Sequence, residues 1–346
     1  MLEFNIEKDS ALLLKDRIDR RYFSGIDIAE GYLIYSSESA YFSDNRYYLD
    51  LKRRLSNSPI KAELFSGLQD VEKFIKEKGI KRIYINFSKE TVEDYNAYKN
   101  WGIEILDGRE IINSLRTTKS EKEIEYIEKA CKIAQKAYYN AIKKVKEGMS
   151  EIELKEIIEE NLKKQNSTSA FDIIVAFGKG SAVPHHETGK TKLKKNQVIL
   201  VDMGATYKGY LSDITRTAFF GKPSKEFIFA YDKVLRANLL AEEEIEDGFT
   251  CCEADAVARN YLKEHNLDKY FTHSLGHGVG LEIHENVVLS PRSEEKLREN
   301  AVFTIEPGVY FENKLGIRIE DTVCIKNGKV KRLFTDDKKL LIIKTN

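Results

Sequence analysis

A mixed α/β (α+β) protein in two parts is what this sequence predicts: a small α/β domain over residues 1–118, then a larger domain over 119–346 built from two similar halves. Three observations predict it. The 346-residue length suggests about two domains of roughly 150 residues each. Apolar residues alternate between strand-like and helix-like spacing along the chain. A set of short motifs then recurs, in the same order, in the second part.

In the first part, Tyr32–Ser36 and Tyr41–Ser43 read as a hairpin, and Arg82–Asn86 and Ile103–Leu106 as buried strands. Leu68–Glu77 and Thr91–Lys99 are the helical candidates between them. This domain carries no His, Cys or Gly-rich signature and reads as scaffold.

The second part opens at Thr117–Ser120. Ser120 and Glu123 form a capping box ahead of Ile124, Ile127, Cys131, Ala134, Tyr138, Ile142 and Val145, whose spacing predicts a long amphipathic helix. Gly148 stops it, and Ser150 with Glu153 starts a second helix through Ile157 and Leu162. Strands follow around Ile173–Ala176 and Val198–Val201. A helix over Phe227–Glu246 ending at Gly248 then begins the repetition. Gly148-Met-Ser-Glu-Ile-Glu is matched by Gly248-Phe-Thr-Cys-Cys-Glu at an offset of 100, His186-Glu by His284-Glu at 98, and Asp202-Met-Gly by Glu306-Pro-Gly at 104. Three matches in one order predict a duplicated α/β unit with a pseudo-twofold axis, and a cleft on that axis where ligands from both copies converge.

Composition excludes several functions. The 56 Lys+Arg balance 56 Asp+Glu, and residues 1–118 hold 19 basic and 20 acidic side chains, so neither the chain nor its first domain is a nucleic-acid module. No run of 18 apolar residues offers a membrane span. Met1–Arg21 lacks the apolar stretch of a secretory signal, which makes a cytoplasmic location the default expectation. Cys131, Cys251, Cys252 and Cys324 show no C-x-x-C pair and read as reduced structural thiols. The scarcity of Gln beside abundant Lys, Glu and Ile leans toward thermophile composition. Glu242–Glu244 and Lys338-Lys339 read as solvated faces, and His265 as a surface residue.

The six histidines, His185, His186, His265, His273, His277 and His284, all lie within one hundred residues. Acids accompany them. The apolar strand ending in Asp202 turns at Tyr207–Gly209 and returns through Asp213, which predicts a hairpin with the two acids opposed, roughly 4.5–5.5 Å apart at Cβ. Likewise Val302–Glu306 turns at Glu312–Gly316 and returns through Glu320. Four clustered carboxylates either protonate or bind cations. With the imidazole of His277, which Gly276, Gly278 and Gly280 leave free to enter a crowded cleft, they carry a charge that two divalent ions cancel. Oxygen-rich ligands with one imidazole suit Mn²⁺, Co²⁺, Fe²⁺ or Zn²⁺. His284 and His185 are placed to hydrogen-bond a substrate. A lone Asp at a strand end is usually a turn residue; two such hairpins flanking a Gly-bound His are much less ordinary.

With these residues in view, the chain resembles the superfamily of creatinase, prolidase, aminopeptidase P and methionine aminopeptidase. The motifs are Val201-Asp-Met-Gly, Ser212-Asp-Ile-Thr-Arg, His273-Ser-Leu-Gly-His-Gly-Val-Gly-Leu-Glu-Ile-His-Glu, Thr304-Ile-Glu-Pro-Gly and Gly316-Ile-Arg-Ile-Glu-Asp-Thr. The resemblance implies a duplicated pita-bread catalytic domain over 119–346, with Asp202, Asp213, His277, Glu306 and Glu320 holding two divalent metals, Mn or Co foremost, Asp213 and Glu320 bridging. It also implies Glu306 as proton shuttle, His284 and His185 as substrate-binding catalytic residues, and Arg318 and Arg216 behind the carboxylates. Arg21-Tyr-Phe-Ser-Gly and Asp44-Asn-Arg-Tyr look like a creatinase-type N-terminal domain. The expected activity is Xaa-Pro dipeptide hydrolysis by a homodimer, the alternatives being aminopeptidase P action on longer peptides and, further off, a non-catalytic peptide-binding relative. One departure bears on specificity: many proline dipeptidases carry Pro-Arg soon after His-Glu, whereas this chain reads Asn286-Val-Val-Leu-Ser, with Pro291-Arg292 later.

Overall fold

Strand pairing in the computed structural model, which describes residues 7–345, divides the chain into two compact units, Met1–Leu115 and Arg116–Asn346. Residues 1–6, part of the stretch read as lacking a secretory signal, lie outside the described residues.

The first unit is a six-stranded mixed sheet in the order Lys61–Leu64, Ala40–Ser43, Tyr32–Tyr35, Ser10–Leu14, Arg82–Ile85, Glu104–Asp107. The expected hairpin is present, Tyr32 pairing with Phe42. Its centre, Ser10–Leu14, is a buried run that sequence reading passed over, because the signal is five residues long and lacks alternation. Both expected helices form, and Thr91 with Asp94 completes a capping box at the start of Val92–Lys99.

The second unit shows the duplication as a repeated order of elements. In each copy two capped helices precede a sheet whose strand runs into a ribbon and returns. Glu121–Ile142 and Glu151–Lys163 lead to the sheet Leu341–Ile343, Ile214–Phe220, Gln197–Met203, Ile174–Phe177. Lys225–Glu244 and Cys251–Glu264 lead to Glu285–Leu289, Gly276–Gly278, Val302–Ile305, Asp321–Lys326, Lys329–Arg332. Ser120, Ser150 and Thr250 all close reciprocal capping boxes with the Glu three residues on, satisfying backbone donors that the first turn leaves open. The long helix ends at Ile142, short of the expected Val145, its last turn tightening as Val145 N–H donates to the Ile142 carbonyl. Cys251 and Cys252 stand in the first turn of their helix, and all four thiols are free.

Register decides where the acids fall. Gln197–Met203 pairs with Ile214–Phe220 so that Asp202 faces Thr215, and the ribbon beyond keeps this register through the two-residue turn Lys208-Gly209. Asp213 therefore stands two residues out of step with Asp202, a diagonal neighbour on the same face and not the opposed residue the sequence suggested. In the second copy Ile305 pairs with Asp321, and the ribbon pairs Gly308 with Arg318. Glu306 and Glu320 thus lie opposite each other between the two ladders, as expected.

Lys338, read as part of a solvated face, is buried. Its ammonium donates to Asp321 Oδ2 at 2.7 Å, Glu242 Oε1 at 2.8 Å and Asn238 Oδ1 at 2.5 Å. Its neighbour Lys339 is exposed, as are Glu243 and Glu244. The sequence shows two adjacent lysines and no sign that the chain carries one of them inward. Among the described residues no helix is long and apolar enough to cross a membrane.

Candidate metal centre

The five expected ligands line one cavity of about 380 Å³, together with His185, His284, His273 and Arg318. Each reaches it from a strand end: Asp202 from Gln197–Met203, Asp213 just before Ile214–Phe220, His277 from Gly276–Gly278, and Glu306 and Glu320 from the ends of Val302–Ile305 and Asp321–Lys326. The two copies meet through side-chain hydroxyls. Thr322 Oγ1 accepts from Asp213 N–H at 3.0 Å and donates to the Asp213 carbonyl at 2.7 Å, while Glu320 N–H donates to the Thr215 carbonyl at 3.1 Å.

His277 is held from behind. Its backbone N–H donates to Thr304 Oγ1 at 3.0 Å, and a Cβ at Gly276 would sit 1.9 Å from the Thr304 carbonyl oxygen, so this approach requires glycine there. Nδ1–H donates to the Gly278 carbonyl at 3.1 Å, leaving the Nε2 lone pair facing inward. Nε2 lies 3.6 Å from Asp213 Oδ2 and 3.5 Å from Glu306 Oε1, too long for a hydrogen bond. Burial, then His284 alongside at 4.2 Å between ring centroids, lowers its pKa to about 4 and keeps it in the neutral, ligating form.

Burial and mutual repulsion set the titration of the acids. Asp213 and Glu320 are pushed far above the ordinary carboxylate range, first by burial and then by their acidic neighbours; burial, offset by Arg318, places Glu306 at about 8. Asp202 Oδ1 and Asp213 Oδ1 are buried without a hydrogen-bond partner. One ligating atom each from Asp213, His277 and Glu320 lie within 4.8 Å of one another. Orphaned oxygens, an inward imidazole lone pair and excess negative charge fit a divalent cation, which satisfies all three at once.

Arg318 lies against Asp202 and the hydroxyls of Thr215 and Tyr310. Nη2 donates to Asp202 Oδ2 at 2.7 Å, Nε to Thr215 Oγ1 at 3.0 Å and Nη1 to the Tyr310 hydroxyl at 2.7 Å. The Thr215 hydroxyl in turn donates to Glu320 Oε2 at 2.6 Å. Arg216 does not reach the site carboxylates. It donates to the Glu320 backbone carbonyl at 2.6 Å and pairs with Asp321 and Asp336, because it alternates to the opposite strand face from Thr215. Arg292 is exposed and absent from the cavity wall.

Thr215, Thr304, Tyr310 and His273 were missed as site residues. His273 takes the Tyr310 hydroxyl at Nε2, 2.9 Å, and burial lowers its pKa to about 4. All but Tyr310 sit inside the quoted motifs, two to four residues from a ligand position, which is the signal that could have found them. His185 and His284 are exposed at the cavity; His186 instead meets the buried Glu151 at 3.0 Å.

Known proteins share this sequence and fold. The chain is 37% identical to an Xaa-Pro dipeptidase of Pyrococcus horikoshii over 99% of its own length and 97% of the relative's. The solved structure of an Xaa-Pro dipeptidase from Bacillus anthracis superposes with a TM-score of 0.92 at 33% identity, covering 96% of this chain and 95% of that one. That of an X-Pro aminopeptidase from Thermotoga maritima gives 0.90 at 31%, covering 96% and 97%. The fold is the pita-bread fold with a small N-terminal domain that the sequence motifs implied. Residues 125–327 match metallopeptidase family M24, and with a donor set suited to divalent cations at the convergence of its two copies, the chain belongs to that family.

Proposed function

We propose that this metallopeptidase hydrolyses Xaa-Pro bonds and acts foremost as an Xaa-Pro dipeptidase. The observation that carries the reading is the convergence of Asp202, Asp213, His277, Glu306 and Glu320 on one cavity, with two exposed imidazoles, His185 and His284, on its wall. A cavity of about 380 Å³ suits a ligand of dipeptide size. Two divalent ions, Mn²⁺ or Co²⁺ foremost, would be held by those five side chains and would supply Lewis acidity, polarising the scissile carbonyl and acidifying water. Glu306, ionised once cations occupy the site, would take a proton from water and pass it to the leaving proline nitrogen. His284 and His185 donate hydrogen bonds to the carbonyl oxygen as its charge develops. Arg318 fixes Asp202 so that its orphaned oxygen stays turned to the cavity.

A second reading, aminopeptidase action on longer peptides, draws on one observation: with Arg292 outside the cavity wall and Arg318 committed to Asp202, no free guanidinium among the described residues lines the cavity to grip a dipeptide carboxylate. Purified protein incubated with Mn²⁺ or Co²⁺ and either an Xaa-Pro dipeptide or an Xaa-Pro-Yaa tripeptide separates the two. Hydrolysis of the dipeptide is expected, and turnover of the tripeptide alone would overturn the dipeptidase reading. A homodimer, supported by resemblance, completes the proposal and is checked by light scattering.

A further inference from the structure

Glu285 follows the substrate-facing His284 directly and borders the cavity, yet its carboxylate is turned to two cations at the start of the second unit. Oε1 accepts from Arg116 Nη2 at 2.7 Å and Oε2 from Lys119 Nζ at 2.9 Å; the Lys119 side chain is 2% exposed and that of Glu285 5%. The same carboxylate closes the loop that carries His284, Oε1 accepting from the Leu281 backbone N–H at 2.9 Å. Arg116 also pairs with Glu282 at 2.8 Å, so four charges on this loop and its support cancel. The chain makes room for the arrangement. A Cβ at Gly280 would lie 2.6 Å from the Glu285 carboxylate, and pairing between Gly276–Gly278 and Glu285–Leu289 slips after His277, leaving residues 279–284 as a loop anchored where Gly278 meets Glu285.

Neither Arg116 nor Lys119 lines the cavity. A buried lysine and a buried arginine are costly unless they fix something, and what they fix is one residue from an imidazole that must meet a reacting carbonyl. We propose that Arg116 and Lys119 are positioning residues for His284, acting through the carboxylate of Glu285. This rests on the Xaa-Pro peptidase reading for its kinetic consequence but not for its structural one. Glu285, held by its cations, is also kept from joining the metal-binding acids as a fifth carboxylate.

The test compares full-length, metal-loaded wild type with Lys119→Met, Glu285→Gln and the conservative Lys119→Arg. Each is assayed on an Xaa-Pro dipeptide at a temperature where thermal unfolding shows it folded. Isotope-labelled histidine lets the His284 ring resonance be followed in the same variants loaded with diamagnetic Zn²⁺, assigned by its loss in His284→Gln. Lys119→Met and Glu285→Gln should lower kcat by about tenfold or more, the scale of a small misplacement of a reacting group, with bound metal and KM little changed. The His284 resonance should shift or broaden, and Lys119→Arg should restore both. Unchanged kcat with an unchanged His284 resonance would overturn the proposal. If wild type cleaves no Xaa-Pro peptide, the activity reading fails, and the His284 resonance alone decides positioning: unchanged in the variants, it overturns the proposal; displaced, it upholds it. Should Lys119→Met not fold, Lys119→Gln, which keeps a donor, takes its place.

Discussion

The Thr215 hydroxyl stands between the Arg318 guanidinium, from which it accepts, and Glu320, to which it donates, while on the neighbouring strand Asp202 faces the same residue. One oxygen thus couples the orientations of three groups at the cavity. Replacing it by Val keeps the shape but leaves the buried Arg318 Nε–H and Glu320 Oε2 each short of a partner. Thr215→Val is expected to weaken metal binding about tenfold to hundredfold, the usual cost of losing such a support, with Thr215→Ser restoring it; a calorimetric titration with Mn²⁺ measures both. The same titration reads the protons. Because Glu306 is raised to about 8, with Asp213 and Glu320 raised beside it by burial and by one another's charge, the cluster holds protons near neutral pH that a cation must expel. Metal affinity should therefore rise with pH up to about 8, and the binding enthalpy should vary with the ionisation enthalpy of the buffer. Equal enthalpies in all buffers would contradict the raised values. On the proposed mechanism Glu306→Gln should retain a folded protein and lose turnover in the Xaa-Pro peptide assay.

At the scale of elements, what was legible in the sequence followed from local signals. The helix starts at Ser120 and Ser150, the strand ending in Asp202 and the ribbon turns are short-range patterns, and each fell where expected. Partners fixed by register or tertiary burial were less legible. Asp213 is out of step with Asp202 because a two-residue turn sets the ladder, and one strand position separates Thr215, which serves the site, from Arg216, which does not. The burial of Lys338 is likewise set by tertiary partners. Nothing local marks this lysine as an inward-turned residue of the C-terminal segment, which also docks through the strand Leu341–Ile343, yet it meets Asp321 next to Glu320, with Arg216 on the other side of that carboxylate. Lys338→Met would leave Asp321 with one cation in place of two and Glu242 with only the more distant Arg332, at 3.6 Å. Breaking such a pair costs about 3 kcal/mol or more, to be read as a lower denaturation midpoint for the catalytic unit. A change no larger than that of Lys339→Met, whose side chain is exposed, would show that the docking contributes little.

Across the whole molecule, zero net charge conceals two opposed populations of buried acids. Glu285 and Asp321 are held below the carboxylate range: burial opposes their charge, but Lys119 and Arg116 beside the one, and Arg216 and Lys338 beside the other, more than offset it. Asp213, Glu306 and Glu320 are pushed above it, having only Arg318 among them. The two populations give stability opposite slopes with pH. For Glu285, depressed to about 2, the unfolded chain binds more protons, so its contribution is present above about 4.5 and lost as pH falls toward 2. Glu285→Gln should flatten that acid limb. For the raised group the folded chain binds more protons between about 4.5 and about 8, so metal-stripped protein should lose stability as pH rises through that window. Divalent cations bound among these acids would hold the same carboxylates ionised and remove this slope. The unfolding temperature of chelator-treated protein should therefore fall increasingly below that of the Mn²⁺-loaded protein from about pH 5 to about pH 8, where the raised acids ionise. A gap independent of pH would mean that these acids are not what the metal neutralises.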